Sequence, residues 1–495
     1  MLNFIDNFFN RTTMYRLALY CLAALLIAAV ILSFFGFLPF SPSALLASAA
    51  VIIISCAATN YIFALVFKAP ANVESVYITA LILALIINPP LISTFSAGLP
   101  FLIWASVWAM AGKFIFAFRK KHIFNPAAFA VALTAITIGQ SASWWAGDFY
   151  MLPFVVLGGL LIVKKLLRWD LVLSFFAAAV VSILGFAIFI GSDPITILGK
   201  SLFESPIVFF AFIMLTEPIT TPPTRFLRVC YGILVGLAFA PQVHIGPVYS
   251  TPELALLFGN IFSFLASPKG RFVLRLKEKN KIANETYDFL FSAERKLDFK
   301  PGQYLEWTLG HRHSDNRGVR RYFTIASSPT EENVRFGVKF YENASTFKKS
   351  LGALEIGDEI TASQLAGDFT LPKNKNRKLA FLAGGIGITP FRSMIKYLLD
   401  KNERRNIVLI YANKSAEDIA YNDIWSEARE KIGAKIACPV GFITKEMIVR
   451  EVPDFKERFF YISGPRAMVV VFEKTLKNLG VKRSQIKTDF FPGYA

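Results

Sequence analysis

The chain has 495 residues, 54% of them hydrophobic and only 18% charged, with 53 Lys/Arg against 35 Asp/Glu and a net charge of +18. Its mean hydropathy is +0.47, which excludes a disordered chain and argues against a wholly soluble protein, where charged residues make up about a quarter. The four cysteines (Cys21, Cys56, Cys230, Cys438) lie far apart, excluding a disulfide framework and a cysteine-held iron–sulfur cluster, and no metal-ligand spacing is present.

These averages hide two unlike halves. Residues 1–267 hold 13 Lys/Arg and 8 Asp/Glu, whereas residues 268–495 hold 40 and 27. The first half contains ten apolar stretches, near 15–38, 43–67, 75–95, 98–118, 123–140, 150–166, 170–190, 203–218, 227–241 and 252–267. Each approaches the roughly 20 residues that cross a bilayer. The first is too long, and lacks the small-residue cleavage site, of a removable leader.

Loop charges test that count. With the N-terminus inside, the inner segments carry Arg11 and Arg16, then Lys68, then Arg119, Lys120 and Lys121. Further along come Lys164, Lys165 and Arg168, then Arg225 and Arg228, then Lys269, Arg271 and Arg275. The five outer loops contain one basic residue, Lys200. This alternation follows the positive-inside rule. It predicts an integral protein of the cell's inner or plasma membrane, with both termini and the second half cytoplasmic. The basic excess is thereby read as membrane topology and phosphate binding, not as a nucleic-acid surface.

From residue 271 the pattern changes. FVLRLKEKNKIA, TYDFLFSA and GQYLEWTLG alternate like strands of an antiparallel barrel. KLAFLAGGIGITPFRSMIKYLLD reads as a buried strand, a glycine-rich turn and a helix. NIVLIYANKS and RFFYISGP each end a further buried strand, as a doubly wound parallel sheet requires. The predicted domains are a polytopic membrane domain over 1–267, an FAD-binding barrel over 271–373 and an α/β nucleotide-binding domain over 374–495.

Four motifs follow in order. Pro301-Gly302-Gln303-Tyr304 precedes a strand, and Arg320-Arg321-Tyr322-Phe323-Thr324 follows it. Here an Arg can clamp a pyrophosphate, an aromatic can stack on a flavin and a hydroxyl can reach its reactive nitrogen. A basic edge strand is the plain alternative. Next, the strand FGVKFY, with Val338 and Lys339, leads to Ser345 and Thr346 at a helix start. These can hold a phosphate or simply cap the helix. Third, Gly384, Gly385, Gly387, Thr389 and Pro390 form a strand–turn–helix junction that suits a dinucleotide phosphate. Last, Ser463-Gly464-Pro465-Arg466-Ala467-Met468 closes a later strand at the same sheet edge.

Order and spacing of these motifs over 271–495 resemble the ferredoxin-NADP⁺ reductase superfamily. The resemblance implies FAD held by Arg321, Tyr322, Phe323, Thr324, Val338, Lys339, Ser345 and Thr346, with Phe323 in place of the usual Tyr. It implies NAD(P)H at Gly384, Gly385, Gly387, Thr389, Pro390, Gly464, Pro465 and Met468. It implies Thr324 as the catalytic hydroxyl and an aromatic of the terminal TDFFPGYA covering the flavin, Phe490, Phe491 or Tyr494, with Phe491 preferred. Many relatives carry a Cys where Ser463 stands, so a thiol near the hydride path is absent. Lys414 and Ser415 would suit a 2′-phosphate and Glu417 and Asp418 would repel one, which tilts the choice towards NADH.

Polar residues inside apolar stretches are costly, so Asn125 in FNPAAF and Glu217 with Thr220 in TEPITTPP are functional candidates. Asn88 and Glu253 fall near predicted span ends, and Lys113 is expected to snorkel to the inner surface. NPAA and EPxTTPP, with LIINPP and TPELALLFGN, resemble one family of flavin-carrying membrane subunits, shared by the Rnf electron-transport complexes and the Na⁺-translocating NADH:quinone reductase. That likeness implies flavin in the membrane domain, usually FMN attached through a Thr. No Thr lies between 138 and 195, so covalent FMN is not expected, while a non-covalent flavin near Asn125, Glu217 and Thr220 is compatible.

The reading is a membrane-bound flavin oxidoreductase. It takes electrons from a nicotinamide nucleotide through FAD to an acceptor in or across the membrane: a quinone, a membrane flavin or an external carrier, with ion coupling an option and the oligomeric state open. The alternative is an ion or solute transporter with an NAD(P)H-sensing flavin domain. The lack of mid-span histidine pairs among the four histidines argues against a haem-based reductase.

Overall fold

The computed structural model describes residues 12–67, 73–118, 121–240, 243–267, 271–311, 315, 318–342 and 344–489. Its contacts divide into two compact units, Thr12–Gly270 and one built on Arg271–Ala495.

The first unit is helical: α1 (Met14–Phe34), α2 (Pro42–Val66), α3 (Val73–Ile86), α4 (Phe95–Ile115), α5 (Pro126–Ile138), α6 (Leu152–Leu166), α7 (Trp169–Phe189), α8 (Pro194–Phe203), α9 (Ile207–Met214), α10 (Arg225–Phe239) and α11 (Pro252–Ala266). Polar caps and prolines set the starts. Ser41, Asn125 and Thr251 each accept a backbone N–H of the first turn, and each is followed by Pro.

Four helices are long and apolar enough to cross a membrane: Met14–Phe34, Pro42–Val66, Ile92–Ile115 and Trp169–Phe189. A fifth candidate is the pair α8–α9, bent by 61°. The ten apolar stretches therefore do not become ten long helices. Asn88-Pro89-Pro90 lies just past α3, Asn125-Pro126 starts α5 and Glu217-Pro218 follows α9, because proline withholds an N–H and clashes with the preceding turn. The resulting 13- to 15-residue helices span only about 20–23 Å. The last five residues of α9, Phe210–Met214, wind as a π-helix just before Glu217.

α7 and α10 pack closest. Gly232 and Gly236 of α10 lie against α7, where a Cβ would come within 2.2 Å of Ser174 Oγ and 2.5 Å of Phe175 O respectively. Such small residues four apart let two backbones approach where lipid gives no hydrophobic drive.

The second unit begins with β1 (Phe272–Ala283), β2 (Thr286–Ala293), β3 (Tyr304–Thr308), β4 (Arg320–Thr324), β5 (Val334–Lys339), α12 (Thr346–Gly352) and β6 (Glu359–Ala366). Their antiparallel sheet has the order β4-β3-β6-β1-β2-β5 around a core of Leu274, Phe289, Phe291, Trp307 and Phe336. Among the described residues the ladder of this sheet is open rather than a closed barrel, with β4 and β5 at its edges. Just beyond them the Ala326 N–H donates to Arg335 O at 2.8 Å.

Then follow β7 (Leu379–Gly384), α13 (Thr389–Asp400), β8 (Ile407–Ala412), α14 (Asn422–Ile432), β9 (Lys435–Ala437), α15 (Lys445–Glu451), β10 (Phe459–Ser463), α16 (Arg466–Asn478) and β11 (Ile486–Asp489). The sheet is parallel, in the order β9-β8-β7-β10-β11. α13 and α14 cover one face, α15 and α16 the other. Burial on both faces explains the unbroken apolar runs of β7 and β8. Strand order reverses between β7 and β10, the place where such sheets bind ligands at their carboxyl edge.

The close helix pair is directly testable. Gly236→Leu should lower the thermal midpoint of the detergent-solubilised protein, by about 1–3 kcal/mol of overpacking. At the exposed Gly185 of α7 an added Cβ meets nothing within 4 Å, so Gly185→Ala should be neutral or stabilising by roughly 0.5–1 kcal/mol.

Candidate functional site

At the switch point, β7 ends in Gly384, a 3₁₀ turn covers Gly385–Ile388, and α13 opens with Thr389 and Pro390. Gly387 faces the end of β10 so closely that a Cβ would lie 2.5 Å from Ser463 O and 2.6 Å from Gly464 Cα. Met468 and Pro465 flank Gly384 in the same way. The two glycine motifs, some 80 residues apart in sequence, thus form one backbone-lined crevice. Asn413, just past the carboxyl end of β8, is buried and its Oδ1 has no hydrogen-bond partner among the described residues.

The FAD-motif residues divide between two faces of edge strand β4. Arg321 (2% exposed) and Phe323 share one face. The Arg321 guanidinium sits 4.9 Å from the Phe347 ring centroid and 3.8 Å from Asp315, and donates to Gly318 O at 3.2 Å. Phe323 stacks on Phe336 at 5.0 Å. Tyr322 and Thr324 take the other face: Tyr322 donates to Glu306 at 2.8 Å, and the Thr324 hydroxyl donates to Asp489 Oδ2 at 3.4 Å.

Asp489 escaped the sequence reading, although an acidic residue directly before the terminal aromatics was a signal. Burial pushes its carboxyl up to about 7, opposed in part by the hydrogen bond from Thr324.

Other expected ligands make contacts within the protein. Ser345 caps α12, accepting the Lys348 N–H at 3.3 Å. Thr346 N–H donates to Asp315 Oδ2 at 3.2 Å, and its hydroxyl meets His311 Nε2 at 2.9 Å. Val338 packs into the core of the first sheet. Lys339, expected to hold cofactor, extends to Asp418 at 2.7 Å, because that carboxylate is the nearest counter-charge at the end of β5. Phe490, Phe491 and Tyr494 lie outside the described residues.

Sequence reading also missed the buried polar seam between the two sheets of this unit. Asp288 on β2 accepts from Arg335 at 2.7 Å and from the Tyr421 hydroxyl at 2.8 Å. Arg392 on α13 forks onto Glu331, with Nη2 at 2.9 Å, and donates to Ala326 O at 3.0 Å. The Ser393 hydroxyl donates to Ser327 O at 2.6 Å. No local pattern marks partners that lie 47 to 133 positions apart.

In the first unit, Asn125, Glu217 and Thr220 do come together. Glu217 Oε2 accepts from Asn125 Nδ2 and Thr220 Oγ1, both at 2.9 Å, and His122 Nε2 lies 3.3 Å from Oε1. Asn260 Oδ1 accepts the Asn125 backbone N–H at 2.7 Å, and Asn260 Nδ2 reaches the Tyr231 hydroxyl at 3.0 Å. A cavity of about 80 Å³ adjoins Asn125 and Glu217 and is otherwise mostly apolar. Glu253 is buried and accepts from Trp144 Nε1 at 2.9 Å. The Lys113 ammonium donates to Ser75 O and Oγ, in the first turn of α3, at 3.0 and 3.1 Å. Among the described residues no group of His, Cys, Asp and Glu could hold a metal.

Comparison with known proteins fits the second unit. Residues 273–370 match the oxidoreductase FAD-binding domain and residues 381–474 the oxidoreductase NAD-binding domain. The glycine betaine monooxygenase reductase subunit of Chromohalobacter salexigens is 26% identical over 232 residues, 43% of this chain and 62% of that protein. A flavohemoprotein of Candida albicans is 30% identical over 212 residues, 39% of this chain and 51% of that one. The chain thus spans between about half and three-fifths of the length of these curated relatives. Among solved structures, the flavohem-like FAD/NAD-binding domain of nitric oxide dioxygenase from Vibrio cholerae aligns with a TM-score of 0.39 and 20% identity, covering 44% of this chain and 97% of that one. The second unit carries the FAD- and NAD-binding domains of an NAD(P)H-dependent FAD oxidoreductase.

Asp489 predicts a pH dependence of stability. Its folded pKa lies above its unfolded one, so the folded state keeps a proton that the unfolded state loses. Stability therefore falls as pH rises from about 4 to about 7 and is flat beyond. Asp489→Asn should match the wild type near pH 4 and be the more stable protein at pH 8. Chemical denaturation at the two pH values measures this.

Proposed function

We propose that the chain is a membrane-bound flavin oxidoreductase. Electrons would pass from NADH, through FAD on the second unit, to an acceptor in or across the membrane: a quinone, a membrane flavin or an external carrier. The carrying observation is the union, on one chain, of FAD- and NAD-binding domains with an apolar unit whose interior holds a carboxylate hub at Glu217. We read residues 1–267 as a polytopic domain like the flavin-carrying membrane subunits of the Rnf complexes and the Na⁺-translocating NADH:quinone reductase. Its short helices serve as halves of broken spans, and the basic inner loops support a cytoplasmic reductase.

The residues of the second unit suit FAD. A buried guanidinium at Arg321, a hydroxyl at Thr324 backed by a protonatable carboxyl, and two sheet edges at β4 and β5 make a donor set for a flavin dinucleotide. FAD bound there would supply the chemistry of accepting a hydride and releasing electrons singly. Arg321 would hold the pyrophosphate. Thr324 would orient the flavin edge by its hydroxyl, and Asp489, poised near neutrality, would exchange a proton through it. The crevice of Gly384, Gly387, Gly464 and Pro465 would admit the nicotinamide nucleotide against bare backbone. Asn413 and the acidic Glu417 favour a free 2′-hydroxyl over a phosphate, while Asp418 is taken up by Lys339. In the first unit, Asn125, Glu217 and Thr220 would meet a second, non-covalent redox group or the head of a quinone at the adjoining cavity.

Two measurements test this. Acid precipitation of purified protein should release FAD with no flavin left covalently attached, and Arg321→Ala should lose most of that FAD; full retention would contradict the assignment. Steady NADH oxidation with a quinone or dye should exceed NADPH oxidation by about tenfold or more in kcat/KM, the scale of one repelled phosphate. An absence of turnover with every acceptor would instead leave the sensor–transporter reading.

A further inference from the structure

Between β8 and α14, residues Asn413–Tyr421 form a loop at the carboxyl edge of the nucleotide-side sheet. Three contacts tie this loop to the FAD-side sheet, each to a different place. The Asn284 N–H, in the β1–β2 turn, donates to Glu417 O at 3.1 Å. The Lys339 ammonium, at the end of β5, pairs with Asp418 Oδ1 at 2.7 Å. The Tyr421 hydroxyl donates to Asp288 Oδ1, on β2, at 2.8 Å.

The loop is stiff as well as tied. Ser415 Oγ donates to Asp418 Oδ2 at 3.1 Å, and the Ala420 N–H donates to the Tyr411 hydroxyl at 3.3 Å. Tyr421 is held at φ +58°, a left-handed conformation that bulky residues adopt only when their surroundings enforce it. Lys339 and Asp418 are 15% and 8% exposed, so water screens their attraction little, and the ammonium holds the Asp418 carboxyl below its usual range.

We propose that this loop is a positioning clamp, in which Lys339 and Asp418 hold the nucleotide-side sheet at the angle to the FAD-side sheet that hydride transfer requires. The inference rests on the assignment of FAD and nicotinamide nucleotide to these two sheets. A hydride passes only when donor and acceptor carbons or nitrogens stand about 3–3.5 Å apart, and an error of about 1 Å can cost a hundredfold in rate. Donor and acceptor would ride on separate sheets, so a small rotation between them opens that gap. The clamp resists such rotation by tying the loop to three places on the FAD-side sheet. Lys339 and Asp418 are thus positioning residues, acting through the placement of other groups.

The test uses the full-length, detergent-solubilised, FAD-loaded protein in three variants: Lys339→Met, Asp418→Asn, and the charge swap Lys339→Asp with Asp418→Lys. Hydrogen–deuterium exchange without nucleotide reads the clamp itself. Stopped-flow reduction by NADH separates the limiting rate from the dissociation constant. Each single variant should speed exchange in both 413–421 and 284–289 and lower the limiting rate about tenfold, with FAD content and NADH dissociation constant near wild type. The swap should slow exchange again and recover most of the rate. Wild-type limiting rates in the single variants, a swap as slow as they are, or an effect confined to NADH affinity would each overturn the clamp. A wild-type protein that holds no FAD, or is reduced by neither nucleotide, would instead remove the premise.

Discussion

The seam between the FAD-side and nucleotide-side sheets is built from charges taken out of water. Asp288 and Arg392 are buried there, and Arg335 and Glu331 are half-buried. A lone charge so placed would cost several kcal/mol, so each must find its partner, and each partner stands on another element. Asp288 on β2 needs Arg335 on β5 and Tyr421 at the head of α14, while Arg392 on α13 needs Glu331 before β5. Two sheets joined by an apolar seam could slide. Two sheets joined by directional ion pairs have one register, and breaking a single partner would cost about 3–5 kcal/mol. The crevice of Gly384, Gly387 and Gly464 and the edge strands β4 and β5 inherit their mutual placement from that register.

The apolar unit obeys the same rule with different means. Glu217 follows a π-wound turn and a bend, and its carboxylate draws Asn125, Thr220 and His122 from separate segments into one cluster. Prolines beside these polar residues leave backbone groups unpaired by helix, and the side chains of Asn125 and Asn260 satisfy some of them. This cluster forms where helices are interrupted, which is also where a cavity opens.

Much of the architecture was legible from local pattern. Alternating burial revealed the strands of the first sheet, unbroken apolar runs revealed β7 and β8, and glycine spacing marked the turn after β7. Close backbone approach was legible from the glycine motifs, as at Gly387. Side-chain partners were less so. The ammonium of Lys339, for instance, meets Asp418, 79 positions later, a partner no local pattern points to. Ser345 caps its helix and Thr346 binds Asp315, contacts the local pattern of small hydroxylated residues did not specify. Asp489 was overlooked because its significance lies in the hydroxyl of Thr324, 165 positions earlier.

By itself the sequence determined what depends on period and composition: an apolar helical half, a half built of strands and strand–helix units, and the turn glycines. These are local matters, settled within a few residues by backbone sterics and the burial of one face. Only the tertiary structure decided which charges meet, how long each apolar helix runs before a proline stops it, and that Asp489 stands beside Thr324. Electrostatic pairing and burial are properties of neighbours in space, and neighbours in space here lie tens to more than a hundred residues apart in the chain.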